Sequence, residues 1–156
     1  MSFPKAKKIK IQRYEGGLSK LSGISNPIKL SSNESALGCS PLAIKALDSV
    51  KKKIFKYPDT NTCLLKKKIS QQFNLNTNRL IVGSGSDEVI SFACQAFLKP
   101  GDEVVVPEFA FLMYGIYSQI NGAKVVRAKE NNFKININSI LNCISKKTKI
   151  VFLANP

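Results

Sequence analysis

The stretch Arg79-Leu80-Ile81-Val82-Gly83-Ser84-Gly85-Ser86-Asp87-Glu88 decides how this chain is read. A short β-branched run predicts a strand, and the glycines and serines behind it predict a turn. Val89 to Leu98 follows, apolar nearly all round, with Glu88, Ser91 and Gln95 as its only polar stripe. That pattern predicts a helix packed against a sheet. A strand that turns through glycine into a helix lets backbone N–H groups converge on an anion, with the positive end of the helix behind them. A phosphate suits such a turn. The loop is not a Walker A motif, which needs Gly-Lys-Ser/Thr. Nor is it a dinucleotide G-x-G-x-x-G, because Glu88 stands at the third glycine position. On the residues alone, plain strand-to-helix punctuation is an equally good reading.

Downstream, Lys99-Pro100-Gly101-Asp102 ends the helix, and Glu103 to Pro107 reads as a buried strand. Phe109 to Ile120 then reads as a helix closed by Asn121-Gly122, and Lys124 to Arg127 as another strand. Asn138 to Ser145 predicts a short helix with Ile140, Leu141 and Ile144 on one side, and Lys149 to Ala154 a continuous apolar strand. Strands alternating with helices imply a parallel α/β sheet. Upstream, Ser40-Pro41 opens a helix from Leu42 to Phe55 with Ile44, Leu47, Val50 and Ile54 on one stripe. Tyr57-Pro58-Asp59-Thr60-Asn61 breaks the pattern, and Leu65, Ile69 and Phe73 mark a second helix. Residues 1 to about 32 carry Gly16-Gly17, Gly23 and Asn26-Pro27 with no sustained period, as an arm would.

The 156 residues, 44% hydrophobic and 22% charged, suit one globular domain. Histidine is absent, which removes Ser-His-Asp and Cys-His catalysis and most zinc geometries. No metal site is expected. Cys39, Cys63, Cys94 and Cys143 form no C-x-x-C pair and are expected to be buried thiols. The net charge of +14 comes from 21 lysines and three arginines, Arg13, Arg79 and Arg127, against 10 acids. Base and phosphate readers favour the arginine fork, and the Lys51-Lys52-Lys53 and Lys66-Lys67-Lys68 runs fall on polar helix faces, so no specific nucleic-acid binding is expected. The apolar windows, broken by Gln95 and Gly115, are too short to span a membrane, and Met1 to Gln12 lacks a secretory apolar core. The expected location is cytoplasmic.

Seven segments occur in register: Lys29-Leu30-Ser31-Ser32-Asn33-Glu34, Lys56-Tyr57-Pro58-Asp59, Gly83 to Glu88, Pro100-Gly101-Asp102-Glu103-Val104, Val106-Pro107-Glu108, Phe111-Leu112-Met113-Tyr114, and Lys149 to Pro156. In this order the set resembles the histidinol-phosphate aminotransferases, from about residue 14 onward. The resemblance implies the α/β large domain of the aspartate-aminotransferase fold, built on a parallel sheet. It implies a pyridoxal 5'-phosphate cofactor and a homodimer with active sites at the subunit interface. Residues 1–34 would form an arm bordering the substrate pocket, and residues 35–156 the first part of the cofactor-binding domain. By matching motifs, the backbone of Ser86 and Asp87 would hold the cofactor phosphate and Phe111 would lie against its ring. Tyr57 would reach a neighbouring subunit's phosphate, and Tyr14 and Asn33, with Glu34, would border the substrate. On the residues alone, composition favours Phe111 as a core aromatic and Tyr57 is a turn residue, while Tyr14 is equally an exposed tyrosine and Asn33 part of a polar turn.

One departure stands out, because the family often has Pro-Thr-aromatic where this chain has Phe109-Ala110-Phe111. The threonine hydroxyl is lost. The family's anchoring lysine, its acid facing the pyridine nitrogen and its carboxylate-binding arginine would all lie beyond residue 156. No catalytic residue is therefore expected here. Ser19-Lys20-Leu21-Ser22-Gly23 imitates the lysine motif but precedes the phosphate turn and is rejected. The sequence is expected to be the front part of a longer enzyme, inactive and poorly soluble alone. The implied reaction moves an amino group between glutamate and a phosphorylated keto compound. Rival readings are a related threonine-phosphate or aromatic aminotransferase, and a non-catalytic remnant that binds a phosphate ligand.

Overall fold

A computed structural model describes residues 9–11, 14, 16, 18 and 22–154 of the chain. Arg13, Lys20, Asn155 and Pro156 lie outside the described residues. The chain divides into two units, one made of residues up to Tyr14 with those from Ile81 onward, the other running from Glu15 to Leu80.

The unit from Ile81 onward is organised by strand β1, Glu103–Pro107. It lies centrally between β2 (Lys124–Ala128) and β3 (Thr148–Val151), and both pairings are parallel. Val104, Val105 and Val106 are all buried because both faces of the sheet are covered, which is why β1 reads as a continuous apolar run. On one face Val104 and Val106 pack with Cys94 and Leu98, at helix α3 (Ser86–Phe97), beside Tyr114 and Tyr117 of α4 (Leu112–Ile120). On the other, Val105 and Ala128 meet Ile140 of α5 (Ile137–Cys143). Each valine so buried contributes about 1.5–3 kcal/mol relative to exposure. Between Glu103 and Val104 the β1–β3 register shifts by one residue, a bulge that leaves Lys149 unpaired.

Two loops interlock at the edge where the strands begin. Lys99-Pro100-Gly101-Asp102 is a type II turn, with the Asp102 N–H donating to the Lys99 carbonyl at 3.1 Å and Gly101 at φ +92°. The end of α4 is a Schellman cap, where Gly122 N–H reaches the Gln119 carbonyl and Ala123 N–H the Ser118 carbonyl, at 2.9 and 3.0 Å. The Gly101 N–H then donates to the Gly122 carbonyl and the Lys124 N–H to that of Asp102, at 3.2 and 2.8 Å. Gly122 sits at φ +80°, and a Cβ there would lie 3.0–3.2 Å from Pro100.

The other unit contains α1 (Pro41–Val50), a 3-10 turn at Lys51–Lys53, α2 (Cys63–Phe73) and a 3-10 turn at Thr77–Arg79. Pro41 takes the first helical position, as read from Ser40-Pro41. The helix ends at Val50 rather than Phe55 and tightens into the lysine turn, a common way for a last turn to close. The Asp59 carboxylate accepts the N–H groups of Asn61 and Cys63 at 3.0 and 2.8 Å and so opens α2. These two bonds hold its pKa below the ordinary value.

Three expectations are corrected. Residues 79–82 form no strand: Leu80 is extended, but no described segment offers this stretch the ladder that defines one, and Ile81 is exposed. The helix expected from Phe109 starts at Leu112, because Ala110 N–H turns back to the Pro107 carbonyl at 3.2 Å and Phe111 stays extended. The cysteines are not four buried thiols. Cys94 is buried and Cys143 half-buried, while Cys39 and Cys63 stand exposed at or before helix starts. Among the described residues no helix is long and apolar enough to cross a membrane.

Candidate functional site

Parallel strands bring the starts of α3 and α4 to the edge where the strands end, where crevices form in open α/β sheets. Gly85, at φ 91°, precedes the first helical residue of α3. Its N–H donates to the Gly83 carbonyl at 2.9 Å, folding the bend tightly. The N–H groups of Ser86 and Asp87 open the helix and donate to no group among the described residues. Two outward donors at a positive helix end are the elements of an anion seat.

Phe111 occupies the cap position of α4 and is 40% exposed. It is therefore not a core aromatic inside a helix. Its ring meets Tyr114 edge-on at 5.8 Å, and Tyr114 stacks on Phe152 with centroids 4.5 Å apart and planes 6° from parallel. Tyr14 approaches the same phenylalanine edge-on at 6.3 Å. The structure thus brings together two residues singled out separately, Tyr14 and Phe111. It also places Ser86 and Asp87 at the opening of α3.

Loops after β1 and β2 are tied beside this platform. Phe109 N–H donates to Glu130 Oε1 at 3.2 Å, and Arg127 Nη1 donates to the Glu108 carbonyl at 3.2 Å. A cleft of about 440 Å³ opens there, lined by Pro107, Phe109, Ala110, Glu130, Phe133 and Ala154 among others.

Tyr57 and Asn33 belong to the other unit and are described within it. Tyr57 is 89% exposed, two residues ahead of the Asp59 carboxylate that opens α2. Asn33 is exposed beside the Lys29–Glu34 ion pair. The residue that the sequence did not single out for a role is Glu88, whose Oε2 accepts the Ser84 N–H at 2.5 Å. An acid at the third helical position is a known capping signal and could have pointed to it.

The family description "Aminotransferase class I and II" matches residues 25–156. The chain belongs to the class I and II aminotransferases. Among relatives of this chain, the histidinol-phosphate aminotransferase of Pelagibacter ubique (strain HTCC1062) is 54% identical over all of this chain and 43% of its own length. That of Rhodospirillum rubrum is 42% identical over 95% of this chain and 40% of its own. The chain thus spans about two fifths of the relatives it matches. The solved histidinol-phosphate aminotransferase of Sinorhizobium meliloti, in complex with pyridoxal-5'-phosphate, superposes with a TM-score of 0.70 at 17% identity. The superposition covers 74% of this chain and 32% of that one, and shows the shared fold. The parallel α/β sheet read from the sequence is the sheet of these aminotransferases.

Proposed function

We propose that this chain is the phosphate- and ring-binding portion of a pyridoxal-phosphate-dependent aminotransferase that moves an amino group between L-histidinol phosphate and 2-oxoglutarate, in histidine biosynthesis. One observation carries the cofactor reading: two N–H groups, of Ser86 and Asp87, that have no partner among the described residues, at a helix start, on the strand-end edge that also presents Phe111. The residues fit the group, because a phosphate ester needs converging donors and a conjugated ring needs a flat aromatic face. The substrate reading rests on the names of the relatives at 54% and 42% identity.

When bound, pyridoxal phosphate supplies an electron sink for bonds at the substrate Cα. The residues of this chain bind and orient. Ser86 and Asp87 N–H groups hold the phosphate against the positive end of α3. Phe111, braced by Tyr114, fixes the ring plane. Tyr14 and Asn33 border the substrate, and Tyr57 serves the phosphate of a second subunit in a homodimer. None of the 156 residues is assigned the role of anchoring lysine. A cytoplasmic location suits a charged phosphate ester that does not cross membranes unaided.

Ser86→Pro tests the reading, because proline at the first helical position removes one N–H while preserving the helix. Titration with pyridoxal phosphate is expected to show affinity reduced about tenfold, the scale of one charge-assisted hydrogen bond. Pyridoxal, which lacks the phosphate, is expected to bind both forms alike. Equal binding of pyridoxal phosphate to both forms would sink the proposal.

A further inference from the structure

Glu88 lies on the third residue of α3, yet its carboxylate turns back out of the helix. Oε2 accepts the Ser84 N–H at 2.5 Å, closing a loop over the bend. The absence of a side chain at residue 83 gives it room. A Cβ on Gly83 would sit 3.0 Å from Glu88 Oε2 and 3.2 Å from Val89 Cγ2. The φ of Gly83 is not in the left-handed region, so close approach, rather than backbone freedom, is what glycine provides there.

We infer that Glu88 is a positioning residue, which clamps the 83–85 bend so that the Ser86 and Asp87 N–H groups stay open for a phosphate ester. This rests on the reading of the bend as a phosphate seat. The donors divide cleanly: Ser84 N–H is taken by Glu88, Gly85 N–H by the Gly83 carbonyl, and the next two N–H groups have no partner among the described residues. The carboxylate therefore satisfies a donor outside the helix and leaves the helix's own donors to a ligand. Its charge is favoured where it lies, in the first turn of a helix.

The test uses the full chain as wild type, Glu88→Gln, Glu88→Ala, Gly83→Ala and the Gly83→Ala/Glu88→Ala double variant. Far-UV circular dichroism confirms the fold. Gln keeps an oxygen acceptor for Ser84 and is expected to hold pyridoxal-phosphate affinity within about threefold, whereas Ala is expected to lose about tenfold. Gly83→Ala crowds the Glu88 carboxylate and so should lose part of what Glu88→Ala loses, while the double variant should lose no more than Glu88→Ala alone. Without ligand, hydrogen exchange of the Ser84 amide should be slow in wild type and Glu88→Gln and fast in Glu88→Ala and the double variant. Additive losses, tighter binding by Glu88→Ala, or an unchanged Ser84 exchange rate would each overturn the inference. If wild type does not distinguish pyridoxal phosphate from pyridoxal, the phosphate seat itself fails, and the Ser84 exchange rates still decide whether Glu88 clamps the bend.

Discussion

Tyr114 and Phe152 lie face to face, 4.5 Å apart and 6° from parallel, joining α4 to the residue that follows β3. The stack braces the start of α4, since Tyr114 also meets Phe111 edge-on. Phe152→Ala removes one ring of a half-buried pair and is expected to cost about 2–3 kcal/mol, less than the loss of a fully buried aromatic. Tyr114→Phe keeps the stack and should be nearly neutral. Urea denaturation of the two variants checks both values.

Gly122 and Gly101 offer a controlled comparison. Both have positive φ, but only at Gly122 would a Cβ meet another residue, Pro100, at 3.0–3.2 Å. Gly101→Ala should cost about 1–2 kcal/mol from backbone strain alone. Gly122→Ala should cost more, because Pro100 must move and the cap must open. Thermal unfolding would show the larger drop for Gly122→Ala, and equal drops would contradict the close approach.

The Glu103 carboxylate accepts the Ser145 hydroxyl at 2.6 Å, and this bond, with Lys124 nearby, holds its pKa below the ordinary value. A carboxyl depressed in the folded state stabilises the fold above its unfolded pKa, and that contribution disappears as pH falls through the folded one. Ser145→Ala should therefore raise the Glu103 pKa toward the usual carboxylate range and start acid unfolding at higher pH. Carboxyl chemical shifts followed against pH measure the first effect, and acid denaturation the second.

The cysteines should react in order of exposure. Cys39 and Cys63 are expected to be alkylated first and Cys143 more slowly. Burial pushes the Cys94 thiol pKa up, so Cys94 should react only on unfolding. Iodoacetamide labelling followed by mass spectrometry would give the order.

Sequence reading succeeded where one local rule acts without a distant partner. The run Glu103–Pro107, the proline-glycine turn at 100–101 and the Asn121-Gly122 cap are written in consecutive residues and appear at those positions. It failed where an element depends on a neighbour: Leu80 to Val82 has β-branched residues but no described strand to pair with. Helix α4 starts late because a turn at 107–110 competes with apolar periodicity, and that turn carries no glycine to announce it. At the site, Ser86 and Asp87 follow from the glycine bend, but the Glu88 clamp depends on side-chain direction. Spacing alone left Glu88 as a polar stripe residue. Tyr14 and Phe111 lie far apart in the chain, and only the folded unit makes them neighbours.

The interlock of Pro100 with Gly122 ties the turn before β1 to the turn before β2, whereas the rim loops at the opposite end are held to one another by exposed hydrogen bonds, Phe109 to Glu130 and Arg127 to Glu108. Insertions or exchanges among residues 108–111 and 129–135 would then leave the strand alignment intact, whereas a single inserted residue between 99 and 102 would slip it. A lineage adapting this scaffold to a new substrate would therefore change the rim long before it touched the base.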